Sequence, residues 1–560
     1  MTKPDFIRPQ TGALMAMKEK NFLGRAAVYL VLLIVAGFLR SAPAAGFLHT
    51  QGEDIVDEHG QKIMLRGVGL GNWMLPEGYM WRFGEEGDRP RKIEKIVSDL
   101  IGPENAAKFW REYRAQFITE KDIQRIAQLG FNSVRPSMNA RLFLSEGENP
   151  VYQDEGFALL DNLVRWCKAS GIYVVVDMHA APGGQTGQNI DDSINDEPRL
   201  FMDAKNQDRL VALWVKLAER YKDEPTVAAY DLLNEPLPER TGTEAKYKNQ
   251  LEPLYQRITT AIRAVDKKHI ITIEGANWAN DWSVFTKPFD DNLVYQFHYY
   301  CWDDPTQLKG IGQYLAARQR LGAPVWVGET GEKDDTIYWG TTDYFEANNI
   351  GWSFWPWKKM ATSNTPYSYQ PPENWRAIAA YSRRAGADKP SPAVAQKAFD
   401  ELLQNIRLEN CEFFPDVVNA LFHRVPGKVE AENYGHEGLN HSYFVKDAAA
   451  KSKYYRTAEP VPVEPAGDSG QAIRLGADEW TLYAVNSPAA KTYALTVKVK
   501  AENAPVKFQI SVNGDQQEAA AAGQDWTELK LKPVKLAQGA NQIKLSVETG
   551  AAEFDWLEFR

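Results

Sequence analysis

Eight short apolar runs alternate with helical stretches between about residues 50 and 385. Between the runs, apolar residues recur at spacings of three and four, as in Leu210, Leu213 and Leu217, which is the period of an amphipathic helix. Continuous apolar runs are typical of parallel strands, because helices cover both faces of a parallel sheet. The runs cover residues 63–69, 131–136, 173–179, 228–235, 270–275, 293–300, 324–330 and 350–357. This pattern predicts the α/β class and a (β/α)₈ TIM barrel.

A doubly wound open sheet is the alternative arrangement of alternating strands and helices. Dinucleotide-binding sheets of that kind carry a glycine-rich phosphate loop directly after their first strand. No loop of that type follows the run 63–69, so the sequence favours the barrel.

Polar side chains stand at the carboxyl ends of the predicted strands. Glu235 ends the fourth run and Glu329 ends the seventh. The carboxyl ends of all eight strands of a barrel meet at one face, and that face carries the chemistry. The other polar or aromatic residues at these ends are Arg135, His179, Asn234, His298, Tyr300, Trp355 and Trp357. Any one of them has a structural explanation, but their coincidence on the same ends predicts an active site.

Two carboxyl groups at one face suit the cleavage of a glycosidic bond. One carboxylic acid protonates the leaving oxygen, and the other attacks the sugar or activates water. A separation of about 5.5 Å allows direct attack with retention, whereas a wider gap admits water and gives inversion. An arginine beside the nucleophile favours its charged form, and a tryptophan offers an apolar platform beneath a sugar ring.

The N-terminal segment predicts export. Basic residues precede the apolar stretch 26–39, and the small residues of 41–46 suit signal peptidase. The apolar stretch is short for a membrane span, although an uncleaved membrane anchor remains the alternative. Residues 1–45 are therefore predicted to be a signal peptide or anchor, and the protein to be secreted or periplasmic.

Charge and cysteine content exclude several classes of function. The formal net charge of −10 disfavours nucleic acid and anionic membranes as partners, but it does not disfavour a neutral polysaccharide or oligosaccharide. Three cysteines form neither a disulfide framework nor a Cys-x-x-Cys metal motif. The sequence indicates no obligatory protein partner.

The C-terminal part of the chain has a different sequence pattern. A Pro-rich break at residues 389–392 leads into a helical region, and short alternating runs punctuated by Gly, Asn and Asp begin near residue 425. Such runs predict an antiparallel β-sandwich. The predicted domains are the signal or anchor 1–45, the catalytic barrel 46–385, a helical linker region 386–424 and a sandwich 425–560.

The barrel resembles glycoside hydrolase family 5, which contains cellulases, mannanases and β-1,3-glucosidases. The residues that carry the resemblance are Leu65-Arg66-Gly67-Val68, Arg135, His179, Asn234-Glu235-Pro236, His298-Tyr299-Tyr300, Gly328-Glu329 and Phe354-Trp355. The resemblance implies that Glu235 is the acid/base, that Glu329 is the nucleophile and that catalysis needs no cofactor. The residues implied to line the sugar subsite are Arg135, His179, Asn234, His298, Tyr300, Trp355 and Trp357.

Two segments, 67–73 and 351–358, look most like the exo-β-1,3-glucanase and related β-glucan branch of that family. One departure occurs at the second strand, where Pro136 follows Arg135 directly and the family often has another residue between them. This departure affects the direction in which the Arg135 side chain is expected to point.

The sandwich resembles an accessory carbohydrate-binding module. The opening segment 429–434, the closing segment 554–559 and the segment 477–483 carry this resemblance. It implies that Trp480 and Tyr483 stack on sugars, with burial in the core as the alternative.

A structural calcium ion is predicted in the same module, bound by Glu430, Glu432 and Asp555. The two glutamates alternate on one face of a strand, and Asp555 lies on the closing strand, which in such sandwiches lies beside the opening one. Carboxylate oxygens are ligands that calcium prefers. The alternative is three solvated surface acids.

These features together predict an exported retaining β-glycoside hydrolase that cleaves a β-glucan with β-1,4 or β-1,3 linkages. The alternatives are a mannan- or glycolipid-directed hydrolase and a catalytically silent carbohydrate-binding protein. The presence of both glutamates argues against the silent protein. Four tryptophans of the loops, Trp278, Trp282, Trp302 and Trp339, are candidate sugar platforms.

Overall fold

The computed structural model describes residues 46–560 except 240–241, 302–307, 334, 385, 450–451, 453–454, 467–469 and 503–504. The predicted signal or anchor, residues 1–45, and Trp302 lie outside this part of the chain. Within the described part, no helix combines the length and apolar character needed to cross a membrane.

Eight parallel strands close into the predicted barrel. They are β1 (Arg66–Leu70), β2 (Ser133–Asn139), β3 (Tyr173–Ala180), β4 (Val227–Asp231), β5 (Ile270–Glu274), β6 (Leu293–Tyr299), β7 (Val325–Gly331) and β8 (Gly351–Trp355), and β8 pairs with β1. All eight predicted runs are therefore strands. The hairpin His49–Gln51 and Asp54–Val56 precedes the barrel.

Helices cover the outside of the barrel because their apolar faces need a partner. The longer ones are Pro90–Ile101, Pro103–Phe117, Glu120–Leu129, Asp154–Ser170, Ala204–Tyr221, Leu251–Arg263, Gly312–Leu321, Asp335–Ala347 and Trp375–Tyr381, with short helices at Arg199–Met202 and Glu244–Tyr247. In Ala204–Tyr221, the residues Leu210, Leu213 and Leu217 are buried, as their spacing predicts.

The region 386–424 contains two α-helices and packs on the barrel. Its helices are Pro392–Asn405 and Pro415–Leu421, and the short strand Glu412–Phe413 pairs with Tyr367–Tyr369. Phe399 contacts the barrel residue Phe109 with ring centroids 5.0 Å apart. This region is thus part of the barrel wall.

The C-terminal region forms two packed antiparallel sheets, which confirms the predicted sandwich. One sheet contains Val463–Pro465, Gln471–Gly476, Ala551–Phe559, Leu495–Ala501 and Thr527–Lys530, with Gly427–Glu430 also paired to Ala551–Phe559. The other contains Tyr443–Phe444, Trp480–Ser487, Gly539–Thr549, Val506–Val512 and Asp515–Ala521. A separate pair joins Lys491–Tyr493 to Val534–Leu536. Phe508 and Phe554 pack edge to face between the sheets.

The sandwich contacts the helix Asp335–Ala347, which follows strand β7. His436 Nε2 lies 3.5 Å from Asp343 Oδ2, and Tyr455 packs directly over Gly340, where a Cβ atom would collide with its hydroxyl. The glycine therefore allows the two domains to approach closely.

Candidate active site

A cavity of about 560 Å³ opens at the carboxyl ends of the barrel strands. Its walls carry carboxyl groups, aromatic rings and amides, a mixture that suits a sugar with polar hydroxyls and apolar ring faces. The lining residues are Glu77, Tyr79, His179, Asn189, Ile190, Glu235, Trp278, Asn280, His298, Tyr299, Tyr300, Lys309, Gly310, Gln313, Tyr314, Glu329, Glu332 and Trp355.

Glu235 and Glu329 face each other across this cavity. Strand β4 ends at Asp231, so Glu235 lies just beyond it, where its φ of 42° is in the left-handed region. Glu329 lies within β7. One carboxylate oxygen of each glutamate and one nitrogen of His298 all lie within 4.8 Å of one another. The two predicted carboxyl groups are therefore close together.

Glu329 is held from both sides. Arg135 donates from Nη1 to Oε1 at 2.7 Å, and the Tyr300 hydroxyl donates to Oε2 at 2.8 Å. Burial raises the pKa of Glu329, whereas the positive charges of His298 and Arg135 act in the opposite direction. These contacts fix the carboxylate toward the cavity and confirm that Pro136 does not divert the arginine.

Arg135 is completely buried and organises several acids below the cavity floor. It donates to Asp231 Oδ2 at 2.8 Å and to Glu274 Oε1 at 3.0 Å, and its Nη2 lies 3.2 Å from Asp177 Oδ1. Burial raises the pKa of Asp177 to about 8 and that of Asp231 to about 6, although the arginine lowers both. Arg135 therefore neutralises these buried acids as well as Glu329.

His298 connects the two sides of the site. Its Nδ1 lies 2.7 Å from Glu235 Oε1 and 3.5 Å from Glu329 Oε2. Burial opposes the charged form, but Glu274, Glu329 and Glu235 raise the pKa of His298 well above its ordinary value. These contacts make His298 part of a hydrogen-bonded network with both glutamates.

His179, Asn234 and Trp355 complete the predicted set. The ring of Trp355 stacks on that of His179 with centroids 5.2 Å apart, and His179 Nδ1 lies 2.7 Å from Asp177 Oδ2. Asn234 Oδ1 accepts from Arg135 at 2.8 Å, and its Nδ2 lies 3.4 Å from His179 Nε2. Burial lowers the pKa of His179 to about 4, which keeps it neutral at neutral pH.

Trp357 does not reach the sugar side of the site. Its side chain is 1% exposed, and its Nε1 donates to Asp122 Oδ1 at 3.0 Å. Strand β8 ends at Trp355, and Trp357 then packs against Tyr367 in the wall of the barrel. The prediction that Trp357 binds substrate is wrong for this conformation.

The structure also brings in acids that sequence analysis missed. Glu274 ends β5 just as Glu329 stands in β7, and it accepts from the Glu235 backbone N–H at 2.6 Å and from Gln296 Nε2 at 2.9 Å. The same criterion, a carboxylate at a strand end, could have identified it. Glu77 enters from the loop after β1, and burial together with neighbouring acids, Glu329 foremost, raises its pKa well above the ordinary value. No sequence signal distinguished Glu77.

The four loop tryptophans differ in position. Trp278 lines the cavity. Trp282 is buried against Phe285 and Tyr314, and Trp339 is buried beside His423. Of the described three, only Trp278 is therefore a candidate platform.

In the sandwich, the two predicted sugar-binding aromatics lie on opposite faces of one strand. Tyr483 is 2% exposed, and its hydroxyl donates to the Ala431 carbonyl at 2.8 Å. A ring buried in this way cannot stack on a sugar, so the binding prediction for Tyr483 is wrong for this conformation. Trp480 is half-buried, with Lys544 Nζ 4.3 Å from its ring centroid, and remains a candidate.

The predicted calcium ligands lie near one another but are only partly compatible with a cation. Burial raises the pKa of Glu432 well above its ordinary value, with Glu430 and Asp555 adding to the rise, and Glu432 Oε2 has no hydrogen-bond partner among the described residues. Asp555 Oδ2, however, pairs with Lys498 Nζ at 2.7 Å. In the barrel cluster, the ligand atoms lie within 4.8 Å of one another. The three acids of the sandwich do not come together in this way. The orphaned oxygen fits a cation, whereas Lys498 competes with it.

Comparisons with known proteins agree on the barrel. Residues 98–361 match the family model described as cellulase, glycosyl hydrolase family 5. A β-xylosidase of Phanerodontia chrysosporium is 29% identical over 427 residues, which cover 68% of this chain and 87% of that protein. An endoglucanase C of Acetivibrio thermocellus is 33% identical over 195 residues, covering 34% of this chain and about half, 53%, of that enzyme. A probable glucan 1,3-β-glucosidase A of Aspergillus clavatus is 28% identical over 281 residues, covering 48% and 65%.

Solved structures resemble the chain more distantly. An endogalactoceramidase covers 91% of this chain and 99% of its own, with 17% identity and a TM-score of 0.44. A β-glucanase of Saccharophagus degradans in complex with cellotetraose covers 65% and 96%, with 17% identity and a TM-score of 0.39.

Proposed function

Because the barrel of this chain belongs to the cellulase family, glycosyl hydrolase family 5, and is a glycosidase that hydrolyses O-glycosyl bonds, we propose that it acts on a β-glucan with retention of configuration. The observation that carries the proposal is the short distance between Glu235 and Glu329, whose nearest ligand oxygens lie within 4.8 Å. Retaining enzymes place their carboxyl groups about 5–5.5 Å apart, whereas inverting enzymes leave room for a water molecule between them.

The proposed mechanism has two displacements. Glu329 attacks the anomeric carbon and forms a covalent glycosyl-enzyme, while Glu235 gives its proton to the leaving oxygen as the glycosidic bond breaks. Glu235 then takes a proton from water, which attacks the same carbon and releases Glu329. Neither displacement requires a cofactor.

The surrounding residues support these roles. Arg135 donates to Oε1 of Glu329 and Tyr300 donates to Oε2, and these two short hydrogen bonds hold the carboxylate toward the cavity. Protonated His298 lies against both glutamates and stabilises negative charge between them. Trp355, stacked on His179, offers a flat apolar floor for the sugar ring that is cleaved.

A β-glucan is the proposed substrate because relatives with endoglucanase and glucan 1,3-β-glucosidase names align with the barrel. A β-xyloside is the second candidate, since the chain spans most of a fungal β-xylosidase. Xylose lacks the hydroxymethyl group of glucose, so the two candidates differ in one substituent of the ring.

The test combines a substrate panel with covalent trapping. The purified protein is incubated with β-1,3-, β-1,4- and mixed-linkage glucans and with β-xylosides, and the first-formed anomer is read by NMR. We expect the β-anomer, and a 2-deoxy-2-fluoro glycoside should label Glu329 in a peptide mass map. A first-formed α-anomer would overturn retention, and labelling of another residue would overturn the assignment of the nucleophile.

Export and sugar binding by the sandwich are further parts of the proposal. The composition of residues 1–45 supports a signal peptide or anchor. Mass spectrometry of the protein from an expressing cell should show cleavage near residue 45, and an intact N-terminus would favour the anchor. The half-buried ring of Trp480 supports a sugar-binding surface, which affinity electrophoresis in soluble glucans tests with Trp480→Ala.

We also retain calcium as a proposal for the sandwich. The orphaned Oε2 of buried Glu432 supports it, and Glu430 and Asp555 would supply the other oxygens. Calcium would there neutralise the acids and hold the opening and closing strands together.

A further inference from the structure

The acid segment, residues 234–237, has a strained backbone. Glu235 and Leu237 have φ values of 42° and 53°, which lie in the left-handed region, and Pro236 stands between them. Residues with a Cβ atom avoid this region, and a residue before proline favours extended backbone. Strain of this kind persists only where the surrounding structure over-determines the conformation. The direction of the Glu235 side chain therefore depends on the contacts that hold this segment.

Gln185 binds the acid segment on both sides of Glu235. Its side-chain Nε2 donates to the Asn234 carbonyl at 2.9 Å, and its backbone carbonyl accepts from the Leu237 N–H at 3.3 Å. Between these two bonds, the Glu235 N–H donates to Glu274 Oε2 at 2.6 Å. The segment is thus bonded at its beginning, its middle and its end.

The same amide joins the acid segment to strand β3. Nε2 of Gln185 also donates to the His179 carbonyl at 2.7 Å, and its Oε1 accepts from the Ala181 N–H at 3.0 Å. The side chain is completely buried, so water does not replace these bonds when they are lost. A carboxylate has no donor for the two carbonyls, and an apolar side chain has neither donor nor acceptor. Only an amide of this length meets all three backbone groups.

The loop that follows β3 fixes Gln185 itself. Asp191 is buried, and its Oδ2 accepts from the backbone N–H groups of Gln185 and Thr186 and from the Ser193 hydroxyl, each at 2.8 Å. Its Oδ1 accepts from the Ser193 backbone N–H at 2.8 Å. One carboxylate therefore closes the loop on itself, and Gln185 reaches the acid segment from a rigid support.

From these contacts we propose that Gln185 is a positioning residue, which aims Glu235 at the leaving oxygen by holding the acid segment against strand β3. The inference rests on the proposed role of Glu235 as the acid. The amide of Gln185 bonds to backbone groups, so it acts on the reaction through the direction of the glutamate. Proton transfer needs atoms within hydrogen-bond reach, and a misplacement of about 1 Å can lower the rate about 100-fold.

The test compares a leaving group that needs a proton with one that does not. The sugar released from an oligosaccharide must be protonated as the bond breaks, whereas 2,4-dinitrophenolate leaves unprotonated. Both substrates carry the sugar that the substrate panel identifies. We expect Gln185→Met to lower kcat/KM for the oligosaccharide about tenfold more than for the dinitrophenyl glycoside, because the thioether has a similar length but cannot donate to the two carbonyls.

Asn132→Leu is the matched control for a loss of stability. Asn132 also bridges backbone groups, since its Oδ1 accepts from the Arg66 N–H at 2.7 Å and its Nδ2 donates to the Met64 carbonyl at 2.8 Å. It precedes strand β2 and so lies at the opposite end of the barrel from the cavity. This variant should lower the melting temperature without distinguishing the two leaving groups. Glu235→Ala should show the selective loss in full.

The outcomes separate this inference from the proposed mechanism. Equal losses on the two substrates, or no loss in Gln185→Met, would overturn the positioning role, as would a selective loss in Asn132→Leu. If Glu235→Ala shows no selectivity, the proposed role of Glu235 fails and the inference fails with it. Selectivity in Glu235→Ala alone keeps the mechanism and refutes only the role of Gln185. If Gln185→Met does not fold, Gln185→Asn replaces it, because its amide is one methylene too short to span the same groups.

Discussion

The molecule contains two clusters of buried acids that are neutralised in different ways. In the barrel, Asp177, Asp231, Glu274 and Glu329 surround the guanidinium of Arg135. In the sandwich, Lys498 contacts Asp555, while Glu432 Oε2 has no partner among the described residues. In the barrel one cation contacts all four acids, whereas in the sandwich the cations Lys498, Lys428 and Arg456 leave one oxygen of Glu432 without a hydrogen bond among the described residues.

This difference explains why we assign the barrel cluster to catalysis and the sandwich cluster to a candidate ion site. Buried carboxylates must be paired, protonated or bound to a metal. Arg135 and protonated His298 leave Glu329 fixed and oriented toward a cavity, which is what a nucleophile needs. Glu432 Oε2 has no hydrogen-bond partner among the described residues, although Arg456 lies close enough to lower the pKa of this carboxyl.

The largest expected effect is the loss of turnover in Glu329→Gln. The amide keeps the shape of the side chain but cannot form the glycosyl-enzyme, so kcat should fall by about 10⁴-fold or more while the melting temperature stays close to that of the wild type. Glu332→Gln is the matched control, since Glu332 lines the same cavity and contacts Tyr79 and Lys359. Comparable losses in both variants would show that the cavity, and not Glu329, carries the effect.

Arg135→Met tests whether one cation sustains the barrel cluster. The structure shows four acids around a side chain that is completely buried. Removing one partner of a buried ion pair costs about 3–5 kcal/mol, so both turnover and the free energy of unfolding should fall. Lys498→Met, which strips one acid of a partly exposed partner, should cost only about 1 kcal/mol in chemical denaturation. Similar losses of unfolding free energy in the two variants would contradict the proposed difference between the barrel cluster and the sandwich cluster.

The sequence predicted the barrel and the pair of glutamates for a simple reason. Buried parallel strands give apolar runs, and the chemistry of a barrel gathers at the ends of those runs. The supporting acids were harder to find, because Asp231 falls in the middle of the predicted run 228–235 and resembles an ordinary strand residue until Arg135 is placed beside it. Contacts between strands that are far apart in sequence cannot be read from a single amino-acid sequence.

Two wrong assignments have physical causes that the sequence already contained. Side chains alternate between the two faces of a strand, so Trp480 and Tyr483, three residues apart, must lie on opposite faces. Trp355 and Trp357 belong to one predicted run, but the strand ends at Trp355 and the alternation stops there. Trp357 then packs into the wall, where Asp122 accepts its N–H.

Glu432→Gln distinguishes a cation from its absence by the sign of the effect. Without a cation, the amide relieves repulsion from Glu430 and Asp555 and should stabilise the protein by about 1 kcal/mol. With bound calcium, the same change removes a ligand and should destabilise it. We expect the wild type to lose stability in excess chelator and to regain it with added calcium, as read by differential scanning calorimetry. A Glu432→Gln variant that is more stable than the wild type in calcium would exclude the ion.

The pH dependence of stability is a second test of whether the sandwich binds calcium. Burial, followed by the neighbouring acids, raises the folded-state pKa of Glu432 above its ordinary value of 4.5. The folded state therefore binds a proton that the unfolded state has released, and this contribution to stability is complete below about pH 4.5 and disappears as pH rises through the folded pKa. In chelator, the stability difference between wild type and Glu432→Gln should grow from acid to neutral pH. With calcium, we expect this dependence to shrink, and a difference that is flat in chelator would show that the folded-state pKa of Glu432 is not raised.

The smallest expected effect separates burial from binding on one sandwich strand. Tyr483→Phe removes a hydroxyl that lies 2.9 Å from Thr481 Oγ1 and donates to the Ala431 carbonyl, so it should cost about 1 kcal/mol of unfolding free energy and leave glucan affinity unchanged. Trp480→Ala should do the reverse, because its half-buried ring contributes little to the core but offers a face for stacking. Chemical denaturation measures the first effect and affinity electrophoresis the second. If Tyr483→Phe weakens sugar binding at unchanged stability, its ring must leave the core when a sugar binds, and the alternation of faces along this strand would not govern recognition.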